Sequence, residues 1–129
     1  MARILVADDE RRVREAIRVV LQAEGFEIVM IDDGRTAIHA LANDDFDLVI
    51  LDIFMRGIDG LETIRTLRKQ RPDIPILATS GLVFPEASIG APDFLSMAAK
   101  LGAAGSLRKP FRPNDLMTTV ESCLGGRRH

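Results

Sequence analysis

Leu48-Val49-Ile50-Leu51-Asp52 is a run of four apolar residues, two of them β-branched, that ends abruptly on a carboxylate. A short, continuous apolar run with polar residues on either side reads as a strand buried on both faces of a sheet. Asp52 then falls where the strand leaves the sheet. At that end of an open parallel sheet ligands bind and chemistry is done. A carboxylate placed there is costly unless something pairs with it.

Working outward, the rest of the chain supplies the partners. Ile4 to Ala7 reads as a first strand and runs directly into Asp8-Asp9-Glu10. Arg11 to Glu24 carries Val13, Ala16, Ile17, Val20 and Leu21 on one helical face, and Gly25 is a good stop. Phe26 to Ile31 is a second strand, and Asp32-Asp33-Gly34 turns into a helix with Ala37, Ile38 and Leu41 inward. After the central strand, Ile53 to Gly60 is a loop and Leu61 to Gln70 a helix with Leu61, Ile64 and Leu67 inward. Ile76 to Thr79 is a fourth strand, Gly81 to Ala91 a loop, and Pro92 suits the first turn of a helix. That helix is expected to bury Phe94, Met97, Ala98 and Leu101. Ser106 to Arg108 is a short fifth strand, and Pro113 opens a last helix with Leu116, Met117, Val120 and Leu124 inward.

Five β-α units in succession require parallel strands, right-handed crossovers and helices on both faces. The fold class is therefore α/β, a doubly wound five-stranded parallel sheet with five helices, in the common strand order 2-1-3-4-5. Strands one and three are then neighbours, and Asp8, Asp9 and Asp52 converge at one crevice. One domain over residues 1–124 is expected, with 125–129 as a flexible tail.

Composition narrows the function classes. The 129 residues are 47% hydrophobic without a run long enough to span a membrane. Met1 to Ala7 reaches Asp8 too soon to be a signal peptide. Cys123 is the only cysteine, which fits a reducing cytoplasm. A net charge of −2 gives no pull toward nucleic acid, and Trp and Tyr are absent, so no usual base-stacking platform is offered.

Three converging carboxylates repel one another, and either protons or a cation relieve this. Oxygen-only ligands favour Mg²⁺, Mn²⁺ or Ca²⁺ over zinc. Such a site leaves room for a phosphoryl group, with Asp52 as the attacking carboxylate, Lys109 neutralising one oxygen and a hydroxyl donating to another. Thr79 and Ser80 both offer that hydroxyl.

Through these residues the chain resembles the receiver domain of two-component response regulators over essentially its whole length. The matching pieces are Ile4 to Asp9, Asp52 with Met55 and Gly57 to Gly60, Pro75 to Gly81, Gly102-Ala103, and Lys109-Pro110-Phe111. Each is weak alone; five in order, each at a strand end, are specific together. The resemblance implies a flavodoxin-like receiver fold and a stand-alone phospho-acceptor signalling protein. Asp52 would be phosphorylated by a histidine kinase or histidine phosphotransferase. Asp8, Asp9, Asp52 and the carbonyl of Phe54 would hold Mg²⁺. Ser80, favoured over Thr79 by the motif, would be the switch hydroxyl, Lys109 the phosphate-binding lysine, and Lys109-Pro110 cis. Phe54 and Leu82 would flank the phosphoryl group, both apolar, so its loss should be slow. The domain would not be a conventional enzyme, taking part only in its own phosphoryl transfer and dephosphorylation. A downstream effector protein would read the switched surface, since no effector domain follows Leu124. Neither nucleic acid nor membrane is expected as a direct partner, and a homodimer through the last helix-strand-helix face is left open.

The sequence departs from the family pattern at three places. Arg56 stands where proline is usual, Ser106 where an aromatic usually reports the switch, and the Gly81 to Ala91 connection is long. The expectation is that switching reorders this connection, with Phe84 in place of the missing aromatic. Rival functions fit less well. An aspartyl-phosphate phosphatase generally needs an acid at the position of Phe54, and a flavin or nucleotide module needs a glycine-rich loop where Asp8-Asp9-Glu10 stands. Intact Asp8, Asp9, Asp52, Ser80 and Lys109 argue against a degenerate receiver. Asp59 reads as a helix cap, and the other loop aspartates, Asp32, Asp33, Asp44, Asp45 and Asp47, as surface groups.

Overall fold

The computed structural model describes residues 2–55, 59–81 and 94–125. The strands are β1 (Arg3–Ala7), β2 (Glu27–Ile31), β3 (Leu48–Asp52), β4 (Ile76–Ser80) and β5 (Gly105–Arg108). Between and after them run α1 (Arg11–Ala23), α2 (Gly34–Asn43), α3 (Gly60–Gln70), α4 (Phe94–Lys100) and α5 (Pro113–Leu124). The sheet has the order β2-β1-β3-β4-β5, every neighbouring pair parallel. The expectations for Arg56, Leu82, Phe84, Pro92 and the tail beyond Gly125 lie outside the described residues.

Strand periodicity divides the core in two. Leu5, Ala7, Val49, Leu51, Ile76 and Ala78 face Ala37, Leu41, Ile64, Leu67, Leu95 and Ala98 of α2, α3 and α4. Their alternates Ile4, Val6, Leu48, Ile50 and Leu77 face Ile17, Leu21, Leu116, Val120 and Leu124 of α1 and α5. β3 is central and buried at every residue, which is why its sequence shows no polar alternation. At the edge, β5 alternates half-buried with exposed residues, and Ser106 is exposed.

Local chemistry sets the helix starts. Asp33 accepts the Thr36 N–H at 2.7 Å and Asp59 accepts those of Leu61 and Glu62, so both cap a helix. Asp44 pairs with Arg3 and Asp45 with Arg71. Gly25 takes a positive φ of 91° after α1, the conformation in which glycine avoids a side-chain clash. Gly60 has a different reason: a Cβ there would lie 2.1 Å from the Ile53 carbonyl oxygen, so the start of α3 rests on the chain leaving β3.

Two expected faces are corrected. In α4 the buried residues are Leu95 and Ala98, whereas Phe94 and Met97 are 37% and 39% exposed. Both sets satisfy helical spacing, and the smaller one turns inward because it lets a seven-residue helix approach the sheet closely. In α1, Ala16 is exposed rather than inward and lines a groove of about 430 Å³ with Val13, Pro110 and Phe111.

Candidate functional site

The carboxyl ends of β1, β3 and β4, with the residue after β5, build one site. Asp8 continues the β1–β2 ladder by donating its N–H to the Ile31 carbonyl, and Asp52 closes β3. The two side chains are buried, with Asp8 1% and Asp52 3% exposed as residues. Asp9 is half-buried, and one carboxylate oxygen from each of Asp8, Asp9 and Asp52 lies within 4.8 Å of the others.

Lys109 answers this charge. Its Nζ donates to Asp8 Oδ2 at 2.6 Å and to Asp52 Oδ2 at 3.2 Å. Its backbone N–H donates to the Ser80 carbonyl at 2.8 Å, which fixes the lysine to the end of β4. The Lys109-Pro110 peptide is cis. The remaining oxygens are held locally: Asp8 Oδ1 accepts the Glu10 N–H and Asp52 Oδ1 accepts the Phe54 N–H, both at 2.9 Å. Arg14 donates to the Asp8 carbonyl at 2.8 Å, a contact with no signal in the sequence.

Electrostatics follow from burial. Burial raises the Asp52 carboxyl above its ordinary range, and the Asp8 charge adds to this, against the Phe54 N–H and Lys109. Burial acts against the Lys109 ammonium too, but Asp8 and Asp52 outweigh it and hold the lysine above its ordinary value. Three carboxylates against one ammonium leave the cluster short of positive charge. An all-oxygen donor set this compact fits a hard divalent cation such as Mg²⁺.

The structure thus brings Asp8, Asp9, Asp52 and Lys109 together. Phe54 stands two residues past Asp52, and Ser80, 6% exposed, ends β4 beside them. Missed in the sequence was the ring contact of Phe54 with Phe94, whose exposed position on α4 the helical pattern hid. No helix among the described residues is long and apolar enough to cross a membrane.

Comparison with known proteins places this arrangement in a class. The family model for the response regulator receiver domain matches residues 4–121, and the chain belongs to that family, the receiver domains of two-component systems. Response regulator MprA of Mycolicibacterium vanbaalenii is 36% identical over 122 residues, covering 95% of this chain and 50% of that protein. Transcriptional regulatory protein FixJ of Bradyrhizobium diazoefficiens is 31% identical, covering 94% of this chain and 56% of that protein. The chain therefore spans about half the length of these curated relatives. Among solved structures, the chemotaxis response regulator CheY4 of Vibrio cholerae superposes with a TM-score of 0.79 at 31% identity, covering 94% of this chain and 97% of that one. A response regulator from Thermotoga maritima gives 0.83 at 26% identity, covering 98% and 99%.

Proposed function

We propose that this chain is a phospho-acceptor switch in which Asp52 receives a phosphoryl group from a histidine kinase or histidine phosphotransferase. The observation that carries this is the single ammonium of Lys109 bridging Asp8 and Asp52, which sit 101 and 57 positions away in sequence. In the transfer, a carboxylate oxygen of Asp52 bonds to phosphorus as the bond from phosphorus to the donor's histidine nitrogen breaks. The catalytic task is positioning and charge neutralisation. Lys109 meets one phosphoryl oxygen, and the Ser80 hydroxyl donates to another. Asp8, Asp9, Asp52 and the carbonyl of Phe54 would hold Mg²⁺, which when bound supplies the remaining positive charge. The chain is not a conventional enzyme: its chemistry ends on its own side chain. A downstream effector protein reads the altered surface, and the cytoplasm is its proposed location.

The test is intact mass after incubation with Mg²⁺ and acetyl phosphate. One acid-labile phosphoryl addition is expected, absent in Asp52→Asn and absent when metal is chelated. Equal labelling of Asp52→Asn would overturn the assignment.

A further inference from the structure

The register of the sheet puts a second hydroxyl beside Asp52 that the phospho-acceptor scheme leaves unused. Ala7 lies alongside Leu51, so Asp8 comes level with Asp52, and Asp52 lies alongside Thr79. Residues in register on neighbouring parallel strands project to the same face. Asp8, Asp52 and Thr79 therefore form a row across β1, β3 and β4, on the face that packs against α1 and α5. Leu107 continues the row on β5, and Lys109 follows two residues later, on the same face. Ser80, the next residue after Thr79, is the last of β4 and stands at the carboxyl end of the strand, beyond the row rather than in it.

Within this row the polar groups of Asp8, Asp52 and Lys109 are engaged with one another or with backbone N–H groups. Thr79 is the exception. It is 1% exposed, and its Oγ1 is buried without a hydrogen-bond partner. A buried hydroxyl left in this state costs stability, and valine would fill the same space in a strand without that cost. The hydroxyl is thus idle in the resting arrangement, in which Lys109 occupies Asp52 Oδ2.

We infer that Thr79 is a positioning residue for the phosphorylated state, its hydroxyl donating to the Asp52 carboxyl oxygen that Lys109 releases on turning to the phosphoryl group. Phosphorylation adds acceptor oxygens that draw the ammonium away from Asp52. The carboxyl oxygen then loses its hydrogen-bond donor, and even where it also meets Mg²⁺ it keeps a lone pair open to another. Thr79, already in the same row, is the unused donor at hand. The two hydroxyls at the end of β4 thereby divide the work: Ser80 serves the phosphoryl oxygens and Thr79 the aspartyl group that carries them. The inference rests on Asp52 being the phospho-acceptor.

Thr79→Val and Thr79→Ser test it, with wild type and Asp52→Asn beside them, each treated with Mg²⁺ and acetyl phosphate. Two quantities are read: the thermal midpoint of the untreated protein, and the half-life of the phosphoryl addition by intact mass. Thr79→Val should keep or raise the midpoint and lengthen the half-life about fivefold, because the lost hydrogen bond is one that strengthens as charge returns to the departing carboxylate. Thr79→Ser, which keeps the hydroxyl, should retain the wild-type half-life. A Thr79→Val half-life equal to wild type would overturn the inference. So would an equal change in half-life in both variants with lowered midpoints, since that reports packing. Wild type that takes up no phosphoryl group at Asp52 would instead remove the phospho-acceptor reading itself.

Discussion

The ring of Phe94 meets the ring of Phe54 edge to face, with centroids 5.0 Å apart and planes at 84°. Phe54 is also the residue whose N–H holds Asp52 Oδ1. The first turn of α4 is therefore joined to the acidic site through one side chain. Edge-to-face pairs are worth about 1 kcal/mol beyond the area they bury. A double-mutant cycle of Phe54→Ala and Phe94→Ala, read by urea unfolding, should show coupling of about that size. A cycle that closes to within about 0.3 kcal/mol would mean the rings merely touch.

The same phenylalanine bears on how long the phosphoryl group persists. In the proposed switch its ring would crowd an attacking water beside Asp52 and could not orient one by hydrogen bonding. Phe54→Asn should therefore lose the phosphoryl addition several-fold faster than wild type, followed by mass over time after the donor is removed. An unchanged rate would count against this role.

Lys109→Met keeps much of the side-chain length and removes the charge. Asp8 and Asp52 would then face each other inside the fold with no cation between them. Breaking a buried ion pair by deleting one partner costs about 3 kcal/mol or more. The expected outcome is a large loss in urea midpoint at neutral pH, partly recovered on adding Mg²⁺. Recovery by Na⁺ at equal ionic strength would show general screening instead.

The raised Asp52 carboxyl predicts a pH dependence of definite sign. Above the ordinary value of 3.8 the unfolded chain has released this proton while the folded one retains it. Folding takes up a proton in that window, so this group's contribution to stability falls as pH rises through the folded value. Asp52→Asn removes that part of the slope and should leave the metal-free protein more stable at neutral pH. Subtracting the two urea-derived pH profiles isolates the group, and a difference that grows toward acid would contradict the prediction.

Two glycines should respond differently to alanine. At Gly60 the new Cβ would press on Ile53 backbone at 2.1 and 2.3 Å, so one of two packed segments must move. A loss above about 3 kcal/mol is expected. At Gly25 nothing lies within 4 Å, and only the positive φ opposes the change, worth about 1 kcal/mol. Thermal midpoints of the two variants should rank accordingly.

The sites at the ends of β1 and β3 were legible because each apolar run stops on the residue that matters, Ala7 before Asp8 and Leu51 before Asp52. Lys109 was legible instead from the Lys109-Pro110 pair that follows the short last strand. Order along the chain and the rule of parallel winding then bring them together. The phase of α4 was not legible, because Phe94-Leu95-Ser96-Met97-Ala98 offers two overlapping apolar stripes and a short helix averages neither out. Thr79 was half legible: the sequence offers its hydroxyl beside that of Ser80, but only the register shows which carboxylate stands beside it.

The 101 positions between Asp8 and Lys109 also set an order in time. At synthesis rates of roughly 5–20 residues per second, Asp8 precedes its ammonium on the ribosome by about 5–20 seconds and Asp52 by about 3–11. Until the lysine arrives, β1 and β3 can meet only by bringing Asp8, Asp9 and Asp52 together with protons or a cation standing in for it. Premature compaction of the nascent chain is thus opposed by its own charges, and arrival of the last strand releases the opposition. The lysine that serves the finished site is also the last charge the sheet needs in order to close.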